Sequence, residues 1–463
     1  MNVRVGTAVG VEDGVRFVYN SAMEGFMPQG PAQEPDTRTL IILAFSATAG
    51  VLIEIYDFSI FGFAVASAFS QTFFPTSTPG QALLLSYLTY GAGYPARLLG
   101  AFLFGHFGDR AGRKFTFLLS ILIVGGSTCA TGLLPGYATL GVAAPVLLVL
   151  LRLVQGVGLG GEFGGATSLL AEFAATRRSR AFWVSLANLG VALGLMASSA
   201  VFLMLHRTFA TTGWRIAMLL SAIILVPALV ARYKLSDSPL FEQLRRRDQL
   251  ARMPSLAVFR AHAIPIVLLA LLSAFQLMDA IVTGTYLVSF MSFAGISLAT
   301  VATIILVSRI GDILGVLLSG PLADFFKRRT VAYFAIAATS LLSYPFVLAI
   351  LGGRIRLVTV LQFLIVLFGV GLLHGLAPIL AAETFPTKFR YSGSGISFTL
   401  AGILGGTIAP LLLVGLVGRD IHANWYYIPI VYACYGAAAM LALLFIRETR
   451  GVRLEDLDHA ESS

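Results

Sequence analysis

Apolar residues in this chain come in long unbroken runs, not in the alternating stripes of a water-soluble domain. Twelve such runs fall near residues 39–69, 81–105, 115–134, 142–172, 181–205, 213–232, 263–291, 298–323, 329–350, 355–381, 391–417 and 424–446. About 20 apolar residues in helical conformation cross the hydrocarbon core of a bilayer. In lipid a helix is favoured because it pairs its own backbone N–H and C=O groups. The pattern predicts an all-α membrane protein of twelve transmembrane helices. The fourth and eleventh runs exceed a straight crossing, so tilting or kinking is expected there. Between the sixth and seventh runs, residues 233–262 read KLSDSPLFEQLRRRDQLARMPSLAVFRAHA, the most charged internal stretch. It divides the chain into a tail (1–38), a six-helix bundle (39–232), a linker (233–262), a second six-helix bundle (263–446) and a closing tail (447–463).

Charge orients this arrangement. Of the 32 Lys and Arg residues, 24 fall in the tails, the linker and alternate loops on one side. Five fall on the other side, and Arg97, Arg152 and Arg309 lie within spans. Cytoplasmic loops carry the excess of Lys and Arg, so both ends are expected inside. The first 38 residues are mixed and charged, without the apolar core of a cleavable signal, and the first span is expected to serve as the insertion signal. Only 12% of the chain is charged and the mean hydropathy is +0.85, against roughly a quarter charged in soluble domains. Lipid must therefore be much of its solvent. The net charge of +9 belongs to the orienting loops, and no basic-aromatic module points to nucleic acid. Cys129 and Cys434 sit in apolar runs, and six histidines show no ligand spacing, so no disulfide framework or metal site is expected. No phosphate-cradling loop is present, which argues against ATP as the driver. No enzymatic chemistry or cofactor is indicated.

Two features repeat between the halves. Gly105-His-Phe-Gly-Asp109-Arg110-Ala-Gly112-Arg113-Lys114 follows the second span, and Gly320-Pro-Leu-Ala-Asp324-Phe-Phe-Lys327-Arg328-Arg329 follows the eighth. Ala171-Glu172-Phe173 is echoed by Ala382-Glu383-Thr384-Phe385. The offsets are 215 and 211 residues, and internal repetition of this kind marks many secondary transporters. In each loop an Asp can accept hydrogen bonds from a helix end and from an Arg. That suits a clamp that holds one conformation and breaks in another.

Charged residues at lipid depth are the candidate site. Glu54 and Asp57 are three apart and share a helix face; two such carboxylates in low dielectric resist simultaneous ionisation, as a proton-carrying site requires. Arg152 lies about ten residues inside its span, where an Arg costs roughly 2.5–3.5 kcal/mol, and so should face an acid or a wet cavity. Arg97, with Tyr94 beside it, could pair with Asp57 or face a substrate carboxylate. Asp279 forms a polar stripe with Gln276 and Thr283, and Arg309 can neutralise Asp312 three residues on. His374 reads as a hydrogen-bonded packing residue before a proton relay. Gly156, Gly160 and Gly164 form a ridge for close helix packing.

The loop from Gly105 to Lys114 resembles the signature loop of the major facilitator superfamily. Three further strings are similar to its metabolite:proton symporter branch: Glu54-Ile-Tyr56-Asp57-Phe58; the run from Arg152 and Gln155 through Glu162 to Ala166; and Ala382-Glu383-Thr-Phe385-Pro-Thr-Lys388-Phe-Arg390-Tyr-Ser-Gly393. Glu448-Thr-Arg450 fits the superfamily's tail, and the resemblance covers about residues 40–457. Ile55 stands where an aromatic is usual, Phe325 to Lys327 replace the Gly and Arg expected after Asp324, and residues 1–38 match nothing in the pattern. The resemblance implies two pseudo-symmetric six-helix bundles working by alternating access in a bacterial plasma membrane. It implies proton-coupled symport of a small hydrophilic metabolite, an organic acid being favoured by the three buried arginines, and a monomer as the working unit. It further implies proton coupling at Glu54, Asp57 and Arg152, and substrate contacts at Tyr56, Arg97, Gln155, Asp279 and Arg309. The clamp would comprise Gly105, Asp109, Arg110, Gly112, Arg113, Glu162, Asp324, Arg328, Glu383 and Arg390. A facilitator or exporter of the same fold, or a transporter-like receptor, would share the sequence pattern without the coupling.

Overall fold

The computed structural model describes residues 37–111, 113–160, 180–223, 262–385, 390–418 and 420–450. The tail before Thr37, residues 224–261 of the linker region and the end after Arg450 lie outside these residues. So do Gly112 and Glu162.

The described residues are built from α1 (Thr37–Ser67), α2 (79–111, Pro79–Gly91 joined to Gly93–Ala111 through Ala92), α3 (Arg113–Leu133), α4 (Ala143–Gly160), α5 (Arg180–Met204) and α6 (Phe209–Ile223). The second half adds α7 (Ala263–Phe293), α8 (Leu298–Phe325), α9 (Arg328–Leu351), α10 (Ile355–Thr384), α11 (Gly393–Val417) and α12 (Ile421–Phe445). Eight of these, among the described residues, are long and apolar enough to cross a membrane. Leu341 and Phe445 are each 75% exposed, and side chains of this kind on the outer faces fit lipid as the surrounding solvent.

The helix ends follow from local chemistry. Thr78 caps α2 in a reciprocal box: the Gln81 N–H donates to Thr78 Oγ1 at 3.4 Å and the Thr78 N–H to Gln81 Oε1 at 3.2 Å. Pro79 then takes the first turn, where its missing N–H is not needed. Ser297 and Asp420 cap α8 and α12 more simply, each accepting from the N–H three residues on. Gly141, Gly295, Gly353 and Gly418 adopt φ of +56°, +80°, +63° and +58°, which a residue with a Cβ adopts only at a cost. All four lie in the turns before α4, α8, α10 and α12.

Four of the described helices are not regular throughout. α6 opens on a π-helical turn at Phe209–Gly213, and α7, α10 and α11 contain such turns at Val282–Tyr286, Val366–Leu372 and Gly402–Ile408. Such turns are frequent at functional sites, and the last three adjoin the buried polar groups described below. Long apolar runs do not reveal them.

Residues of the two halves meet at both helix ends. At one, the Tyr87 hydroxyl donates to the Thr285 carbonyl at 3.3 Å and the Ser289 hydroxyl to that of Ala66 at 3.0 Å. At the other, the Phe182 N–H donates to Asp324 Oδ2 at 3.4 Å. Between these ends, Thr407 Oγ1 donates to the Gly91 carbonyl at 3.0 Å, and Tyr94 packs against Gly402 and Gly406, which have no side chains to obstruct it.

Candidate functional site

The α1 face that carries the two acids turns toward α2, α3 and α4. Glu54 forms an ion pair with Arg97 of α2, Oε1 to Nη2 at 2.7 Å, both groups buried. Of the two partners open to Arg97 in the sequence, then, Asp57 is not the one taken. Asp57, one turn on and 1% exposed, instead accepts from the Thr128 hydroxyl of α3 at 3.3 Å through Oδ2, while its Oδ1 makes no hydrogen bond. Thr128 in turn accepts from Gln155 Nε2 at 2.8 Å, and Gln155 Oε1 accepts from Arg152 Nη1 at 2.6 Å. A continuous chain thus runs from the Asp57 carboxylate to the Arg152 guanidinium.

Arg152 is held without an acid beside it. Its Nε donates to the Tyr90 carbonyl at 3.2 Å, and its guanidinium lies 4.2 Å from the ring centres of both Phe58 and Phe61 and 4.9 Å from that of Tyr90. Aromatic faces attract a desolvated guanidinium, which offsets part of the burial cost. The side chain lies flat because Gly93 leaves room: a Cβ there would stand 2.8 Å from Arg152 Nε. Tyr56 faces away from this chain, its hydroxyl donating to the Ala217 carbonyl of α6 at 3.0 Å.

A second buried set occupies the other half. The Tyr432 hydroxyl of α12 donates to Asp279 Oδ1 at 2.6 Å. Asp279 Oδ2 makes no hydrogen bond and lies in the space a side chain at Gly369 would need. Arg309 and Asp312 of α8 approach only to 3.9 Å, so their mutual neutralisation is loose. His374, expected as a hydrogen-bonded packing residue, has Asp312 as its partner: Nδ1 lies 3.2 Å from Oδ1.

The clamp residues divide. Gly105, Asp109 and Arg110 lie in the last turns of α2, Arg113 opens α3 and Arg390 precedes α11; their side chains lie outside the described residues. In the second half Arg328 grips Glu383 with both arms, Nη2 to Oε1 at 2.9 Å and Nε to Oε2 at 2.6 Å, and approaches Asp324 at 3.8 Å. The segment after α12 completes the knot. Glu448 accepts from the Arg328 and Arg329 N–H groups at 3.1 Å each, so that it caps α9; Thr449 donates to Glu383; and Arg450 Nε donates to the Asp324 carbonyl at 3.2 Å. Despite Phe325 to Lys327, then, the second-half cluster is assembled. Removing one member of a buried ion pair costs about 3–5 kcal/mol. Arg328→Ala is therefore expected to lower the thermal unfolding midpoint of purified protein sharply, and Arg328→Lys, which keeps charge without the fork, to fall between.

Sequence reasoning missed Thr128, the Phe58–Phe61–Tyr90 cage and Tyr432. A threonine or an aromatic within an apolar run gives no positional signal until the neighbouring helix is in place.

Comparison with known proteins agrees with this architecture. The family model described as Major Facilitator Superfamily matches residues 47–410. The Inner membrane metabolite transport protein YhjE of Escherichia coli (strain K12) is 34% identical over 432 residues, which cover 90% of this chain and 95% of that protein. The Shikimate transporter of the same strain is 30% identical over 430 residues, 89% of this chain and 96% of that protein. Among solved structures, the proton:xylose symporter XylE bound to 6-bromo-6-deoxy-D-glucose superposes with a TM-score of 0.68 at 18% identity, covering 92% of this chain and 100% of that one.

Proposed function

The chain belongs to the major facilitator superfamily, as a metabolite transporter with that superfamily's all-α fold, and on that premise we propose that it carries a small carboxylate-bearing metabolite together with a proton by alternating access. The observation that carries this reading is the unequal partnering of the two α1 acids. Glu54 has a guanidinium at 2.7 Å, whereas Asp57 has a hydroxyl at 3.3 Å. Burying an ionised carboxylate without a compensating charge is costly. Asp57 is thus the group suited to hold a proton while sealed and to release it when water arrives. Glu54 and Arg152 set its surroundings, and Thr128 and Gln155 relay its state to Arg152.

In this reading Arg97, Gln155, Asp279 and Arg309 offer polar contacts to the substrate, and Tyr56 fixes the face of α1 that presents them. The contacts at both helix ends fit an occluded stage, from which rocking of residues 39–232 against 263–446 would open the site to each side in turn. The Arg328–Glu383 pair, with Asp324, holds the closed end, and the loop with Gly105, Asp109, Arg110, Gly112 and Arg113, together with Glu162 and Arg390, serves the matching role. A bacterial inner membrane, supported by the inner-membrane relative YhjE, cytoplasmic ends, supported by the loop charges, and a monomeric carrier complete the assignment. A carboxylate substrate is supported by the buried arginines and by a relative that transports shikimate.

Uptake of labelled organic acids into proteoliposomes tests it. Accumulation is expected with an acidic exterior and should vanish on adding a protonophore; uptake indifferent to the protonophore would replace symport with facilitated diffusion.

A further inference from the structure

The transport reading leaves part of the second buried set unexplained. Arg309 is 0% exposed, yet none of its three guanidinium nitrogens makes a hydrogen bond. Buried polar groups are nearly always bonded, and a guanidinium presents five donors. The acids nearby do not use them. Asp312 Oδ2 stays at 3.9 Å from Nη1 and, like Asp279 Oδ2, makes no hydrogen bond. Asp312 Oδ1 is engaged by His374, and Asp279 Oδ1 by Tyr432. On α7, Gly284 keeps bare backbone against the fork, where a Cβ would stand 2.9 Å from Nη2. A planar set of unused donors matches a carboxylate, which such a fork binds through two parallel hydrogen bonds.

We infer that Arg309 is the docking point for the substrate carboxylate, and that a proton on His374 enables docking by holding Asp312 away from Arg309. This deepens the symport reading and rests on it. With His374 neutral, Asp312 retains an unsatisfied charge and competes for Arg309. When the imidazole takes a proton from water, its Nδ1–H donates to Asp312 Oδ1 as a charge-assisted hydrogen bond, and the guanidinium is available to the ligand. One proton and one carboxylate entering together leave the net charge of the buried set unchanged. Either alone would alter it in a medium that penalises uncompensated charge. Release of the proton on the far side restores the competition and expels the anion.

The surrounding elements bring few other charges. α8 contributes Arg309 and Asp312, and α7 contributes Asp279 with Gln276. α5, α9, α11 and α12 carry no Asp, Glu, His, Lys or Arg beyond their first two residues. What they add are hydroxyls: Ser185 beside Gly375, Thr339 beside Gly369, and Tyr432 on Asp279. Gln362 of α10 is bonded to the Thr283 carbonyl at 3.0 Å.

The test uses full-length protein in nanodiscs, with citrate, succinate and shikimate as probes and xylose as an uncharged control. Binding is measured at about pH 5.5 and about pH 7.5, either side of the histidine range. Coupling of 1–3 kcal/mol corresponds to about 5–150-fold, so the best carboxylate is expected to bind at least about tenfold more tightly at the lower pH. His374→Gln should reduce this ratio to within about twofold. Asp312→Asn should bind tightly at both pH values, Arg309→Gln at neither, and Arg309→Lys weakly. A merely structural role would lower the yield of folded protein without changing the pH ratio. Wild-type binding by Arg309→Gln, an unchanged pH ratio in His374→Gln, or no carboxylate binding by the wild type would each overturn the inference. Uptake of the same probes driven by a pH gradient separates the two levels. If the wild type accumulates a probe and both variants match it, symport stands and this site falls; if the wild type accumulates none, the symport reading falls and takes the site with it.

Discussion

Asp57→Asn is expected to remove one proton's share of pH-driven accumulation while leaving exchange of solute across the membrane intact. The substitution removes the titratable group with little other change: an Asn oxygen can still accept from Thr128, which now donates to Asp57 at 3.3 Å, and the side chains are nearly the same size. Each 1.4 kcal/mol is tenfold in a concentration ratio. A gradient of about two pH units therefore drives up to about hundredfold accumulation for each proton that accompanies the solute. In Asp57→Asn the ratio should fall by up to about that factor, while counterflow of labelled against unlabelled solute proceeds at a comparable rate. Glu54→Gln should behave differently. It removes the charge that Arg97 meets at 2.7 Å, so it should impair folding or binding as well, and both assays should decline. Wild-type accumulation by Asp57→Asn would leave His374 as the group that carries the coupled proton.

The contrast between these acids shows what the sequence could and could not convey. Spacing placed Glu54 and Asp57 on one helix face, and the depth of Arg97 and Arg152 marked them as site residues, because both inferences depend on a single helix and its distance from the lipid boundary. Pairing depends on how helices are rotated against one another. From the sequence alone Arg97 was open to Asp57 or to a substrate carboxylate; the crossing of α1 and α2 gives it Glu54. Arg309 and Asp312, three apart, looked self-neutralising, yet Nη1 and Oδ2 stand 3.9 Å apart, while His374, 62 residues later, takes the other oxygen. The all-α fold itself was legible, since long apolar runs follow from the bilayer alone, and eight of the described helices are long and apolar enough to cross it. The π-helical turns in α7, α10 and α11 were not legible, because they relieve packing between helices whose contacts no single run specifies.

Gly156→Ala should prevent stable folding, although a lone methyl group is added in the middle of a helix. In a solvated helix the change would help: Ala is favoured over Gly by about 1 kcal/mol. Here α2 and α4 cross through their glycines. A Cβ on Gly156 would run into the carbonyl oxygen of Gly93 and stand 2.8 Å from the Ala96 Cβ, and a Cβ on Gly100 would strike the Val157 carbonyl. These obstacles are backbone and a methyl group, with no rotamer to yield, so relief requires α2 and α4 to separate. Overpacking of this kind costs about 1–3 kcal/mol, and more where the backbone must move, which outweighs the propensity gain. Separation would also lift Gly93 off Arg152 and disturb the chain from Arg152 through Gln155 and Thr128 to Asp57, so any protein that survives should transport poorly. Gly126→Ala on α3 is the control: nothing lies within 4 Å of its Cβ position, and that variant should be as stable as the wild type or slightly more so. Detergent-solubilised yield and thermal unfolding of the two variants, measured side by side, decide the matter. Equal stability in both would mean that the α2–α4 crossing is looser than these contacts require, and that the path from Asp57 to Arg152 does not depend on it.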